Sequence, residues 1–213
     1  MKKNKVKVRP LIAILRGISP DKTIEIVDNL INSGIKIIEI PLNSPKPFLS
    51  IEKMCEKFKY KALLGAGTVT NINQVNDLHK IGCEIIISPN TDKNVIRKTK
   101  ELGMISVPGI FTASEAFNAI NYGADGLKIF PASVLKHDGF KAISAVLPQN
   151  LKVFAVGGIK TNHFRKWIDT GITGFGIGSS LFNYNTISTE IKIKASNFVN
   201  EFDKVSKNKY ITF

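Results

Sequence analysis

Apolar residues along this chain fall in short runs, rich in Val and Ile, that break off at Gly, Pro, Ser, Thr or Asn. Each run is followed by a longer stretch whose apolar positions recur at three- and four-residue spacing. The first pattern predicts strands and the second amphipathic helices. Strands are predicted over Leu11–Gly17, Ile35–Leu42, Lys61–Thr68, Glu84–Asn90, Met104–Ile110, Gly126–Ala132, Lys152–Ile159 and Gly174–Leu181, eight in all. Helices are predicted over Asp21–Ser33, Asn71–Ile81, Lys93–Gly103, Ala113–Tyr122 and Asn162–Thr170. Thr186–Lys207 reads as a last helix and Asn208–Phe213 as a loose tail. Gly34, Gly103, Gly123 and Gly171 stand where a left-handed C-terminal helix stop is expected.

Ile37-Ile-Glu-Ile40, Glu84-Ile-Ile-Ile87 and Leu127-Lys-Ile-Phe130 are apolar apart from single polar residues, as strands buried on both faces of a parallel sheet are. Eight β-then-α units in 213 residues predict one α/β domain over residues 1–213, a (β/α)₈ TIM barrel, whose small examples start near that length. A doubly wound open sheet is the alternative, because parallel units alone do not reveal closure.

Charge changes this picture little. Lys and Arg number 30 against 17 Asp and Glu, a net +13 that raises polyanions as partners. The lysines are spread over nearly every helical stretch, and no nucleic-acid motif or aromatic stacking platform accompanies them, so no nucleic-acid partner is expected. Met1–Arg9 is basic like the head of a secretion signal, but the apolar run Leu11–Leu15 is too short to continue one. No run approaches the roughly 20 apolar residues of a membrane span. A soluble cytoplasmic protein without membrane contact is the expectation. Cys55 and Cys83 each stand alone and read as buried free thiols. His79, His137 and His163 share no metal-ligand spacing, and no metal site is expected. Neither a Ser-His-Asp order, a P-loop nor a dinucleotide motif appears.

In a (β/α)₈ barrel the active site lies at the C-terminal ends of the strands, so charged residues inside apolar strands are the first candidates. Lys128 and Glu39 are those residues. A desolvated lysine has a lowered pKa and supplies the free amine that attacks a carbonyl carbon; the alternative is a buried Lys128–Glu39 ion pair that only fixes the interior. Val156-Gly-Gly158 and Gly176-Ile-Gly-Ser-Ser180 end strands seven and eight, where barrels often hold phosphate on free backbone N–H groups. Turns that need glycine for backbone reasons are the alternative. Arg16, ending strand one, suits a carboxylate or else a surface salt bridge. Thr68, ending Gly65-Ala-Gly-Thr68, either bonds a substrate carboxylate or keto acid or caps the next helix.

The motifs Ile14-Leu-Arg-Gly17, Glu39-Ile-Pro-Leu-Asn-Ser-Pro45, Gly65-Ala-Gly-Thr68, Ser88-Pro-Asn90, Leu127-Lys-Ile-Phe-Pro131 and Ala155-Val-Gly-Gly158 occur in this order. Together they resemble the KDPG/KHG aldolase family, which cleaves phosphorylated 2-keto-3-deoxy sugar acids, from about Leu11 to Phe182. The resemblance implies a class I aldolase without metal or cofactor, Lys128 as the Schiff-base lysine and Glu39 as the general acid/base. By the same resemblance Arg16 and Thr68 orient the substrate, and Gly157, Gly158, Gly178 and Ser179 hold its phosphate. Pro89 and Asn90 line the pocket, and the assembly is a homotrimer. Family members acting on the gluconate epimer carry a Thr-Leu-Arg pattern after strand two and a threonine before the Gly-Gly pair. Here Pro41-Leu-Asn43 and Val156 stand in those places, as in the galactonate enzymes of the family. Ser180 is a further departure, at a position that is often acidic or small. The rivals are the gluconate and 4-hydroxy-2-oxoglutarate aldolases, a phosphosugar isomerase or epimerase on the same barrel, and a non-catalytic or nucleic-acid-binding barrel.

Overall fold

The structure, a computed structural model, describes residues 7–207 and 210–213. Its elements in chain order are β1 (Lys7–Val8), β2 (Leu11–Ile14), α1 (Thr23–Asn32), β3 (Ile37–Pro41), α2 (Pro47–Phe58), β4 (Leu63–Gly67), α3 (Ile72–Lys80) and β5 (Ile85–Ile87). There follow α4 (Lys93–Glu101), β6 (Ile105–Val107), β7 (Gly109–Ile110), α5 (Ala113–Asn121), β8 (Leu127–Ile129) and α6 (Ala132–Ser144). The chain ends with β9 (Val153–Val156), a 3₁₀ turn at Thr161–His163, α7 (Phe164–Ile168), β10 (Gly174–Ile177), α8 (Ser188–Val205) and β11 (Ile211–Thr212).

Strands β2 to β10 are parallel and hydrogen-bonded in the order β6-β5-β4-β3-β2-β10-β9-β8-β7. The two ends of that order are halves of one predicted strand. Pro108 lies between β6 and β7, and a residue without an N–H breaks the ladder there. The Pro108 carbonyl still accepts the Lys128 N–H at 2.8 Å, so the ring continues through the break. With β10 paired to β2 through Phe175↔Leu11, Gly176↔Ile12 and Ile177↔Ala13, the sheet curls into a barrel rather than an open sheet.

Helix ends form where the sequence places them. Asn71 and Asp92 accept backbone N–H groups at the starts of α3 and α4, and Thr112 with Glu115 makes a reciprocal capping box on α5. The four predicted stop glycines all have φ between 71° and 97°. Apart from β7, which ends at Ile110 as predicted, the observed strands end sooner than predicted. β2, for example, ends at Ile14, the Leu15 N–H still donates to the Glu39 carbonyl at 3.0 Å, and Arg16 and Gly17 continue into a loop.

Alternation along each strand sorts the core into two layers. Ile12, Ile14, Ile37, Ile85, Ile87, Val107, Phe154 and Val156 form one cluster inside the ring. Their neighbours Ala13, Ile38, Ile40, Ile86, Leu127, Ile129 and Ala155 pack outward against the helices. The tail expected to be loose is not: β11 pairs antiparallel with β1, and Phe213 stacks on Phe154 at 6.1 Å between ring centroids. Residues 208–209 of that tail, and residues 1–6 of the basic start, lie outside the described residues. Among the described residues no helix is long and apolar enough to cross a membrane.

Candidate active site

Glu39 follows Ile37 by two positions in β3, and Leu127 and Ile129 on either side of Lys128 face outward. Strand alternation therefore turns both charged side chains into the ring, from strands on opposite sides of it. They are 3% and 7% exposed, so neither charge is solvated. Gly67 makes the space for Glu39. A Cβ on it would lie 1.9 Å from Glu39 Oε2.

Burial sets the protonation of both groups. It pushes the Glu39 carboxyl up to about 7, against the nearby positive charges of Lys128 and Arg16, which favour ionisation. It pulls the Lys128 ammonium down to about 8; the Glu39 charge opposes that and the Arg16 charge adds to it. The two feel each other's field, yet no ion pair within 4.0 Å joins them among the described residues. Glu39 Oε2 is buried and has no hydrogen-bond partner among the described residues. Lys128 Nζ instead lies over the Phe130 ring, 4.9 Å from its centroid.

Around these two groups a pocket of about 150 Å³ gathers Arg16, Thr68, Pro89, Val156, Gly157, Gly158, Gly178 and Ser179. Of the site residues predicted from sequence, only Asn90 is missing. It is exposed on the loop beyond Pro89, where the chain has left β5 and packs over Gly109. Arg16 Nη1 donates to Asn43 Oδ1, a neutral acceptor, and the Gly17 N–H donates to Ser44 Oγ at 3.0 Å. Arg16 thus makes no salt bridge among the described residues, and its charge stays available to an anion. Thr68 caps nothing, since Asn71 caps α3. It holds φ 58° at the pocket edge, a strained value for a β-branched residue.

The glycines divide between the two readings given them. Gly157 and Gly158 have φ 105° and 73°, so their backbone requires glycine as well as lining the pocket. Gly178 has neither a positive φ nor a crowding neighbour nearer than 4.0 Å. Its missing side chain serves only to leave the loop open. Ser180, which also lines the pocket, donates its hydroxyl to the Ile159 carbonyl at 2.6 Å and ties the loops after β9 and β10 together.

Ile14, Phe130 and Ile159 line the pocket too and were not predicted. For Phe130 the signal was present, because it follows Lys128 by two positions in an extended segment. Among the described residues no group of three or more His, Cys, Asp or Glu side chains could hold a metal ion.

The family described as KDPG and KHG aldolase matches residues 2–195 of this chain. A 2-dehydro-3-deoxy-6-phosphogalactonate aldolase of Escherichia coli (strain K12) is 44% identical over 193 residues, covering 91% of this chain and 94% of the relative. A 2-dehydro-3-deoxy-phosphogluconate aldolase of Dickeya dadantii (strain 3937) is 25% identical, over 75% of this chain and 74% of its own. Among solved structures, native KDPGal superposes with a TM-score of 0.91 at 43% identity, covering 92% of this chain and 95% of that one.

Proposed function

We infer that Lys128 is the Schiff-base nucleophile of this chain, which belongs to the KDPG and KHG aldolase family and is an aldolase, a carbon–carbon lyase. The observation that carries the assignment is that Lys128 and Glu39, both buried inside the ring, line one pocket. The lysine is shifted toward its free amine, and Glu39 Oε2 has no hydrogen-bond partner among the described residues.

The proposed substrate is 2-dehydro-3-deoxy-6-phosphogalactonate, cleaved reversibly to pyruvate and D-glyceraldehyde 3-phosphate. The Lys128 amine attacks the C2 ketone, and loss of water leaves a protonated imine. C3–C4 then breaks, with its electrons drawn into an enamine, while the C4 hydroxyl proton passes to Glu39. The enamine takes a proton at C3, and hydrolysis of the imine frees pyruvate and Lys128. Arg16 and Thr68 hold the carboxylate end, with Pro89 against it. The backbone of Gly157, Gly158 and Gly178 with Ser179 receives the phosphate. No cofactor takes part in this scheme.

The galacto assignment rests on the higher similarity to the phosphogalactonate enzyme and on Val156. That side chain is 4% exposed, faces the interior and offers no hydroxyl to a C4 oxygen in the gluco arrangement. An apolar wall discriminates by roughly 10- to 200-fold, so a preference rather than exclusion is expected. Measured kcat/KM should favour the galactonate epimer in the native enzyme, and Val156→Thr should narrow the gap. A native preference for the gluconate epimer overturns the substrate and leaves the aldolase standing.

A homotrimer working in the cytoplasm, in galactonate degradation, completes the proposal. Phe48, Leu49, Phe117 and Val134 are each more than a third exposed, large apolar surface of the kind an assembly covers. Buried free Cys55 and Cys83 suit a reducing compartment. Light scattering is expected to give three times the 23.5 kDa chain mass, and a monomer at assay concentration removes the trimer.

A further inference from the structure

The Gly157–Ile159 loop has a second face. Behind it lies a larger cavity, about 320 Å³, between the start of α6 and α7. Lys136, His137, His163, Lys166 and Trp167 line it, and Gly157, Gly158 and Ile159 are common to it and to the pocket of Lys128. Its described lining residues include no acidic side chain, and the Asp138 carboxylate lies beside His137. Lys136 and Lys166 are exposed and join no ion pair among the described residues.

The neutral donors face the same way chemically. His163 Nδ1 accepts the Lys160 N–H at 3.3 Å, so in the neutral ring the proton sits on Nε2 and that nitrogen is a donor. His137 Nδ1 lies 2.8 Å from Asp138 Oδ1, and its ring meets Trp167 edge-on at 6.4 Å between centroids. Trp167 is only 5% exposed, so the cavity has an apolar wall beside its cationic rim. Lys136 breaks α6 with φ 59° and ψ 170°, a region almost reserved for glycine.

We propose that this cavity is a second anion site, which takes a small phosphate monoester with its phosphate among Lys136, Lys166 and His163 and its body against Trp167. Two ammonium groups, from α6 and α7, and an imidazole N–H from the 3₁₀ turn before α7 suit an anion with several oxygens, where one carboxylate would leave donors idle. The shared glycine loop is the route by which occupancy reaches the catalytic pocket. The Ser133 N–H donates to the Gly157 carbonyl at 3.2 Å and so ties that loop to the start of α6. This site rests on the proposed function only in counting a first phosphate at Ser179.

The test is titration calorimetry with inorganic phosphate at low ionic strength, where charge contacts are least screened. The native enzyme is expected to bind two phosphate ions per chain. The double variant Lys136→Ala/Lys166→Ala should hold one of them roughly 10- to 100-fold more weakly, as the loss of two charge-assisted contacts implies. Its kcat/KM in phosphate-free buffer should stay within about twofold of native. Two undiminished ions in that variant overturn the second site. A loss of more than about tenfold in phosphate-free kcat/KM overturns it as well, by placing these lysines in the substrate site. Ser179→Glu should expel the other ion. If it expels none while the lysine variant still loses one, the substrate-phosphate reading fails and the second site stands.

Discussion

Borohydride added to the enzyme in the presence of pyruvate is expected to fix one pyruvyl group on Lys128 and to end turnover. Only an imine is reduced to a permanent amine link, so the label reports the covalent step itself. Lys128 suits that step because it is 7% exposed, among apolar neighbours that pull its ammonium down to about 8. An appreciable fraction of the free amine is then present near neutral pH, where a solvated lysine supplies almost none. Lys128→Arg keeps the charge but cannot form the imine, and Lys128→Met keeps the volume without it. Both should take no label and lose roughly 10⁴-fold or more in kcat, since the barrier loses its electron sink. Circular dichroism on the Met variant separates lost chemistry from lost folding. Equal labelling of the Arg variant would falsify the nucleophile assignment, and an unlabelled native enzyme with isomerase activity would favour the rival reaction class.

Much of this site was legible because strand alternation is a strict rule. Single charged residues in the apolar strands Ile37–Ile40 and Leu127–Ile129 had to face either the helices or the interior, and their outward neighbours settle which. What escaped the sequence did so for physical reasons. Asn90 adjoins Pro89 in the chain, but β5 ends at Ile87, and past the turn alternation no longer tells which way a side chain points. The Ile211–Thr212 strand pairs with Lys7–Val8 at the far end of the chain, and so short a segment carries no local pattern of its own. Closure itself depended on Pro108, whose neighbours β6 and β7 read as one uninterrupted run. Lys166 reads as an ordinary polar position of the predicted helix Asn162–Thr170 and Lys136 lies in a stretch without a predicted element, and only the packing of α6 and α7 beside the Gly157–Gly158 loop encloses a cavity between them.

Replacing Glu39 by Gln is expected to lower kcat by roughly 10²- to 10⁴-fold, the usual contribution of a positioned acid–base group, while leaving pyruvate labelling of Lys128 in place. The amide keeps the size that Gly67 accommodates but cannot carry the C4 hydroxyl proton. The pH profile gives the role a second signature. In the native enzyme the reaction needs Glu39 ionised, above about 7, and Lys128 unprotonated, above about 8, so kcat/KM should climb through that interval and level off beyond it. Because the two groups interact, the observed midpoints belong to the pair. The Glu39 charge raises the Lys128 pKa, so its removal lets burial and Arg16 pull that pKa further down. The residual activity of Glu39→Gln should therefore rise at lower pH than native activity does. A merely structural Glu39 would leave turnover near native in the variant, and an unshifted profile would mean that the two groups do not share the pocket's electrostatics.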